Sequence, residues 1–201
     1  MRKILMVLLT LTMVLSFVSK NFTNELSYSL PSIPKTFAEF KELRAAHSKT
    51  PEGAAALFVA AMIMYGKNKE DGIKSFTLIL DRYYVWKGGR GPSVRGYSPN
   101  RSAMGYIKMI DTRPYLGRVY ISGTNYKNAY KLPAAPYKIE IARIGSRGEG
   151  KKVLYIRTTS GNMPRPLGVK VNNRGVWKAY DLSSMFVGVS KVPPRNVDDD
   201  I

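Results

Sequence analysis

An α+β fold, with N-terminal helices packed on a curved antiparallel sheet, is the class that this sequence of 201 residues predicts. Three observations carry the prediction. Apolar residues recur at helical spacing behind Thr and Asn caps as far as Leu80, and from Tyr137 onward they alternate with polar ones as in half-buried strands. Between two of those alternating runs lies Asn172-Asn173-Arg174-Gly175, a turn whose Asn and Gly tolerate positive φ, so the strands it joins are antiparallel. Helices first and a meander after leave the helices on one face of a sheet. The length fits a single domain over residues 36–190, and a composition 44% hydrophobic can fill one core.

Taken in order, the chain begins with an address. Met1, Arg2 and Lys3 are cationic, and Ile4 to Val18 run apolar apart from Thr10, Thr12 and Ser16, the pattern of a signal peptide over residues 1–16 with Val14-Leu15-Ser16 as its small-residue cleavage site. The run is shorter than the roughly 20 residues of a spanning helix. The mature chain is therefore expected in the periplasm or outside the cell, an uncleaved N-terminal anchor being the alternative. Residues 17–35, with Pro31 and Pro34, read as a flexible lead-in. Thr36-Phe37-Ala38-Glu39 has capping-box spacing and opens a first helix with Phe37, Phe40 and Leu43 on one face. Thr50-Pro51-Glu52 opens a second, a cap followed by Pro and an acid at the positive end of the dipole; its near-continuous apolar run from Ala54 to Tyr65 predicts the buried central helix, ended by Gly66. Asn68 caps a third, striped by Ile73, Phe76 and Leu80. A Gly-rich basic loop over residues 87–96 leads to Ser98-Pro99, read as the start of a short helix over residues 101–110. Strands follow over residues 137–142, 152–159, 167–172 and 176–182, then a polar, acidic tail over residues 191–201.

The residues absent exclude several chemistries. With no Cys and one His, a cysteine nucleophile, a Cys-ligated zinc or iron–sulfur site, a multi-histidine metal site and any disulfide are ruled out. His47, before the Thr50 cap, reads as an exposed loop residue. Asp81, Asp111, Glu140 and Asp181 are not paired by spacing, Lys87 to Gly91 lacks the Gly-Lys-Ser/Thr end of a P-loop, and Ser183-Ser184 has no nucleophile elbow. No catalytic residue, metal or cofactor is assigned, and a non-enzymatic binding module is expected.

Charge supplies the positive indication. The formal net charge is +18, and it is concentrated: residues 82–118 hold 8 basic side chains against Asp111 alone, and residues 119–178 hold 12 against Glu140 and Glu149. Ten of the 13 Tyr and both Trp fall in the same stretch. Cations interleaved with rings suit a polyanion with flat faces. The expected partner is an anionic polymer, either envelope glycan or nucleic acid, or an acidic protein. Arg90, Arg95, Arg101, Arg165 and Lys170 are the candidate anion-binding residues, with Tyr97 and Trp177 as aromatic contacts. Two alternatives stand beside this: a pocket for a small molecule or for catalysis, lined by Phe58, Met62, Tyr155 and Trp177, and an envelope domain that forms homo-oligomers.

At Thr50-Pro51-Glu52-Gly53-Ala54-Ala55 with Tyr65-Gly66, and again at Arg165-Pro166-Leu167, Asn172, Gly175-Val176-Trp177-Lys178, Ser183-Ser184 and Gly188-Val189, the sequence resembles an uncharacterised family of exported bacterial proteins, a domain of unknown function. The resemblance covers residues 36–200 and implies class and compartment without a catalytic residue. More loosely, the order of helices and then a sheet ending in Gly-x-Trp-Lys is similar to the cystatin-like cone of nuclear-transport-factor-two-like proteins, which implies a pocket between sheet and helices or a dimerisation surface.

Overall fold

The structure, a computed structural model, describes residues 26–192 except 90 and 162. The signal peptide, residues 17–25 of the lead-in, Arg90 and the tail from residue 193 lie outside the described residues.

Three helices are built where their caps stand. In α1 (Phe37–His47) the Thr36 hydroxyl accepts from the Glu39 N–H at 3.2 Å. Glu39 does not close a capping box onto Thr36; its carboxylate accepts from the Lys35 N–H at 2.7 Å. In α2 (Pro51–Lys67) Thr50 accepts from Gly53 at 3.0 Å with Pro51 in the first turn, and in α3 (Lys69–Ile79) Asn68 accepts from Asp71 at 3.2 Å. Gly66 does not end α2, which runs to Lys67 before Asn68 turns the chain. Every residue from Gly53 to Tyr65 is buried, because α2 meets the sheet on one side and α1 and α3 on the other. Phe58 packs edge-on against Phe76 and Phe186, at 5.5 and 6.0 Å between centroids.

Among the described residues the sheet has five strands in the order β1-β4-β5-β6-β7, with every neighbouring pair antiparallel: β1 (Leu26–Leu30), β4 (Tyr137–Ser146), β5 (Lys151–Ile156), β6 (Arg165–Val171) and β7 (Trp177–Asp181). The meander is as the alternation predicts. β1 is not, since it lies in the stretch read as a flexible lead-in; it pairs Leu26 with Ile141 and Leu30 with Tyr137, taking one edge of the sheet. Its Tyr28 hydroxyl is hydrogen-bonded to His47 Nδ1 at 2.7 Å, so the histidine is the half-buried last residue of α1 rather than a loop residue.

Two further features position the site. Past the end of α3 the chain runs along the opposite sheet edge: Leu80 bridges Ala179 of β7, and the Asp81 N–H donates to the Ala179 carbonyl at 2.8 Å. Then β2 (Val85–Lys87) and β3 (Tyr97–Pro99) pair as a separate hairpin. Ser98-Pro99 thus belongs to β3, and the cap of α4 (Arg101–Ile107) is Asn100, whose side chain accepts from the Ala103 N–H at 2.9 Å. Among the described residues no helix is long and apolar enough to cross a membrane.

Candidate anion-binding cleft

The positive charge converges where three segments meet: the end of α3 with the turn at Arg82–Tyr84, the β2–β3 hairpin, and the β6–β7 turn. They enclose a cleft of about 420 Å³, within the range of ligand pockets. Arg82, Arg95, Arg174 and Lys178 line it, with Asp81 as the carboxylate among them and Val85, Val94 and Tyr97 as its apolar wall.

Backbone turns and one ring contact place the arginines. Arg95 sits at φ 54°, a left-handed conformation, in the loop closed by mutual backbone hydrogen bonds between Val94 and Tyr97. The Arg82 guanidinium lies over the Tyr97 ring at 5.1 Å, a cation–π contact that fixes it toward the hairpin. Arg174 is in the β6–β7 turn, where the Asn172 side-chain oxygen accepts from the Arg174 and Val176 N–H groups at 2.9 and 3.0 Å and Gly175 supplies the positive φ of 68°. Lys49 donates to the Arg174 carbonyl at 2.9 Å, holding that turn from the helical side.

Lys178 lies deepest. Its amine donates to the Leu78 carbonyl, which also accepts from Arg44 Nε at 3.2 Å, so two cations satisfy a carbonyl at the negative end of α3. Burial pushes the Lys178 ammonium down to about 8, with Arg44 adding to the drop and Asp81 opposing it. Asp81 is 7% exposed. Burial raises its pKa, but the Tyr83 N–H and the Lys170 ammonium outweigh burial and hold it below the ordinary aspartate value. Its Oδ1 accepts from Tyr83 at 3.0 Å and is 2.9 Å from the Lys170 amine. Asp81 is thereby paired from within by Lys170; of the four lining cations Arg82, Arg95 and Arg174 are exposed, while Lys178 is half-buried, bonded to the Leu78 carbonyl and favoured in its charged form by Asp81.

Of the residues singled out in the sequence, Arg95 and Tyr97 line this cleft, and Lys170 supports it through Asp81. Arg101 lines a neighbouring groove on β2–β3 and α4. Arg165 is diverted: its guanidinium donates to the Gly188 carbonyl at 2.6 Å and fastens the C-terminal segment to β6. Trp177 is half-buried against the core, and its backbone N–H donates to the Ser48 carbonyl at 2.9 Å. Phe58 and Met62 are fully buried among core side chains, and the Tyr155 ring lies under the Arg143 guanidinium at 3.5 Å. Arg82, Arg174 and Lys178 were not foreseen. Lys178 had a signal in the sequence, standing beside Trp177 in a strand with few acids, and Arg174 had one in its turn. Arg82 had only the tyrosines that follow it.

Among the described residues no group of three or more His, Asp or Glu is gathered as a metal centre. In comparison with known proteins, the family model described as "Domain of unknown function (DUF6935)" matches residues 32–193. No curated protein and no solved structure matches the chain.

Proposed function

The chain belongs to the DUF6935 family, a domain of unknown function, and from that premise we propose that it is an exported, non-enzymatic binding module that holds an anionic partner in the cleft at the β7 edge. The observation that carries the reading is the convergence of Arg82, Arg95, Arg174 and Lys178 around a carboxylate already bound by Lys170. Side chains from three separate segments focus a positive potential on a concave surface, which steers and retains anions. Export rests on the cationic start and apolar run of the first 16 residues.

Chromatography on heparin and on single-stranded DNA across a salt gradient tests the reading. The protein is expected to elute later than a basic control of equal net charge. Replacing Arg95 and Arg174 by Ala is expected to flatten the dependence of log affinity on log salt for single strands by about 0.7 for each phosphate that the variant no longer neutralises. Elution with the control, or variants that elute like the parent, would count against a built site.

A further inference from the structure

The two faces of the β2–β3 hairpin do different things. Val85 and Tyr97 face the cationic cleft, whereas Trp86 and Ser98 line a second groove of about 500 Å³, walled by Pro92, Pro99 and Met104. Trp86 is 55% exposed, an unusual position for an indole. The ring is held in place: a Cβ at Gly89 would stand 2.9 Å from its Nε1 and against the Ser98 hydroxyl, so only glycine lets the loop pass beneath it. Arg101 and Lys108 are also in the lining; among the described residues no acid is in it and neither cation makes an ion pair, while the Lys108 charge helps to hold the Asp111 carboxyl below its ordinary value.

We propose that this groove is a second binding site, and that it takes a sugar ring of a uronic-acid-bearing glycan, with the ring face on Trp86 and the carboxylate toward Arg101 and Lys108. This rests on the anion-binding reading and names its partner. An indole with one face open supplies a flat apolar platform for the C–H face of a pyranose, while proline walls add apolar surface without N–H groups to be left unsatisfied. Two cations match the sparse charge of a polymer with one carboxylate per sugar or disaccharide. A single-stranded nucleic acid fits less well, since successive bases stack on successive rings and Trp86 is the aromatic residue among the lining side chains.

Calorimetric titration of the protein with octagalacturonate, an uncharged galactan octamer and octathymidylate tests the proposal. Octagalacturonate is expected to bind, the galactan octamer and octathymidylate to bind at least about tenfold more weakly, and Trp86→Ala to weaken octagalacturonate about tenfold or more while Trp86→Phe restores part of the loss. Trp86 is exposed, so neither variant threatens the fold. Unchanged affinity in Trp86→Ala, with Arg95→Ala/Arg174→Ala weakened, overturns the groove and leaves the cleft standing. Octathymidylate binding tighter than the glycan overturns the choice of partner, and so does galactan binding as tightly as its acidic counterpart. Failure of octagalacturonate to bind a protein still retained on heparin overturns the glycan alone; failure on both overturns the anion-binding reading with it.

Discussion

Lys178 carries its charge at a cost, and pH exposes that cost. Its pKa is about 8 in the folded chain against about 10.4 in an unfolded one. Between those values the unfolded state binds more protons, so the contribution of this group to stability rises with pH. A penalty on the order of 3 kcal/mol is in full force below pH 8 and is relieved as pH approaches 10.4. Lys178→Met is therefore expected to melt higher than the parent at pH 7, with the difference closing toward pH 10.4, as read in parallel thermal melts. The same proton governs the cleft. Raising pH from 7 to 9 removes one of the cations that line it, so affinity for an anion should fall in the parent and stay level in Lys178→Met, measured at constant ionic strength. Asp81 behaves in the opposite sense, since its pKa is depressed overall. What it contributes is present above the ordinary aspartate pKa and is lost as pH falls through the lower folded value.

The helices were legible because their punctuation is local. Thr36, Thr50 and Asn68 cap as spacing alone requires, and Thr50→Ala is expected to cost about 1 kcal/mol in chemical denaturation through loss of the bond to the Gly53 N–H. The crossing of α2 and α3 was not legible, since it depends on Gly72, where a Cβ would fall inside the Tyr65 backbone. Gly72→Ala should either force those helices apart, at about 1–3 kcal/mol or more, or abolish the cooperative transition; unaltered denaturation would contradict so close an approach. The strands of the meander announce themselves by alternation. β1 does not, because its polar residues and the nearby prolines look like a loop until β4 offers a partner, and β3 is too short for a period to show. Ser98-Pro99 consequently passed for a helix start, although the strand pairing with β2 uses it and Asn100 takes the cap.

Across the whole molecule the charge excess was visible in the sequence and its focus was not. Arg95, Tyr97 and Lys170 could be picked from a basic, aromatic stretch, but no spacing shows that the end of α3 and the turn at Arg174 bring Arg82, Arg174 and Lys178 to the same opening. The bond from Arg165 to Gly188 was equally hidden, because a backbone carbonyl carries no signature in sequence. A formal charge of +18 also works against the compact state. The melting temperature is expected to rise as sodium chloride is increased from low to physiological concentration, and a flat or falling dependence would indicate that the cations are already compensated within the fold. The place of β1 has a consequence in time as well. Strand β1 leaves the ribosome before α1, yet its neighbour β4 is made only after α4, so at about 5–20 residues per second Leu26 waits on the order of ten seconds for Ile141. The first strand to be synthesised spends that interval without its partner, its own backbone N–H and C=O groups open to other chains.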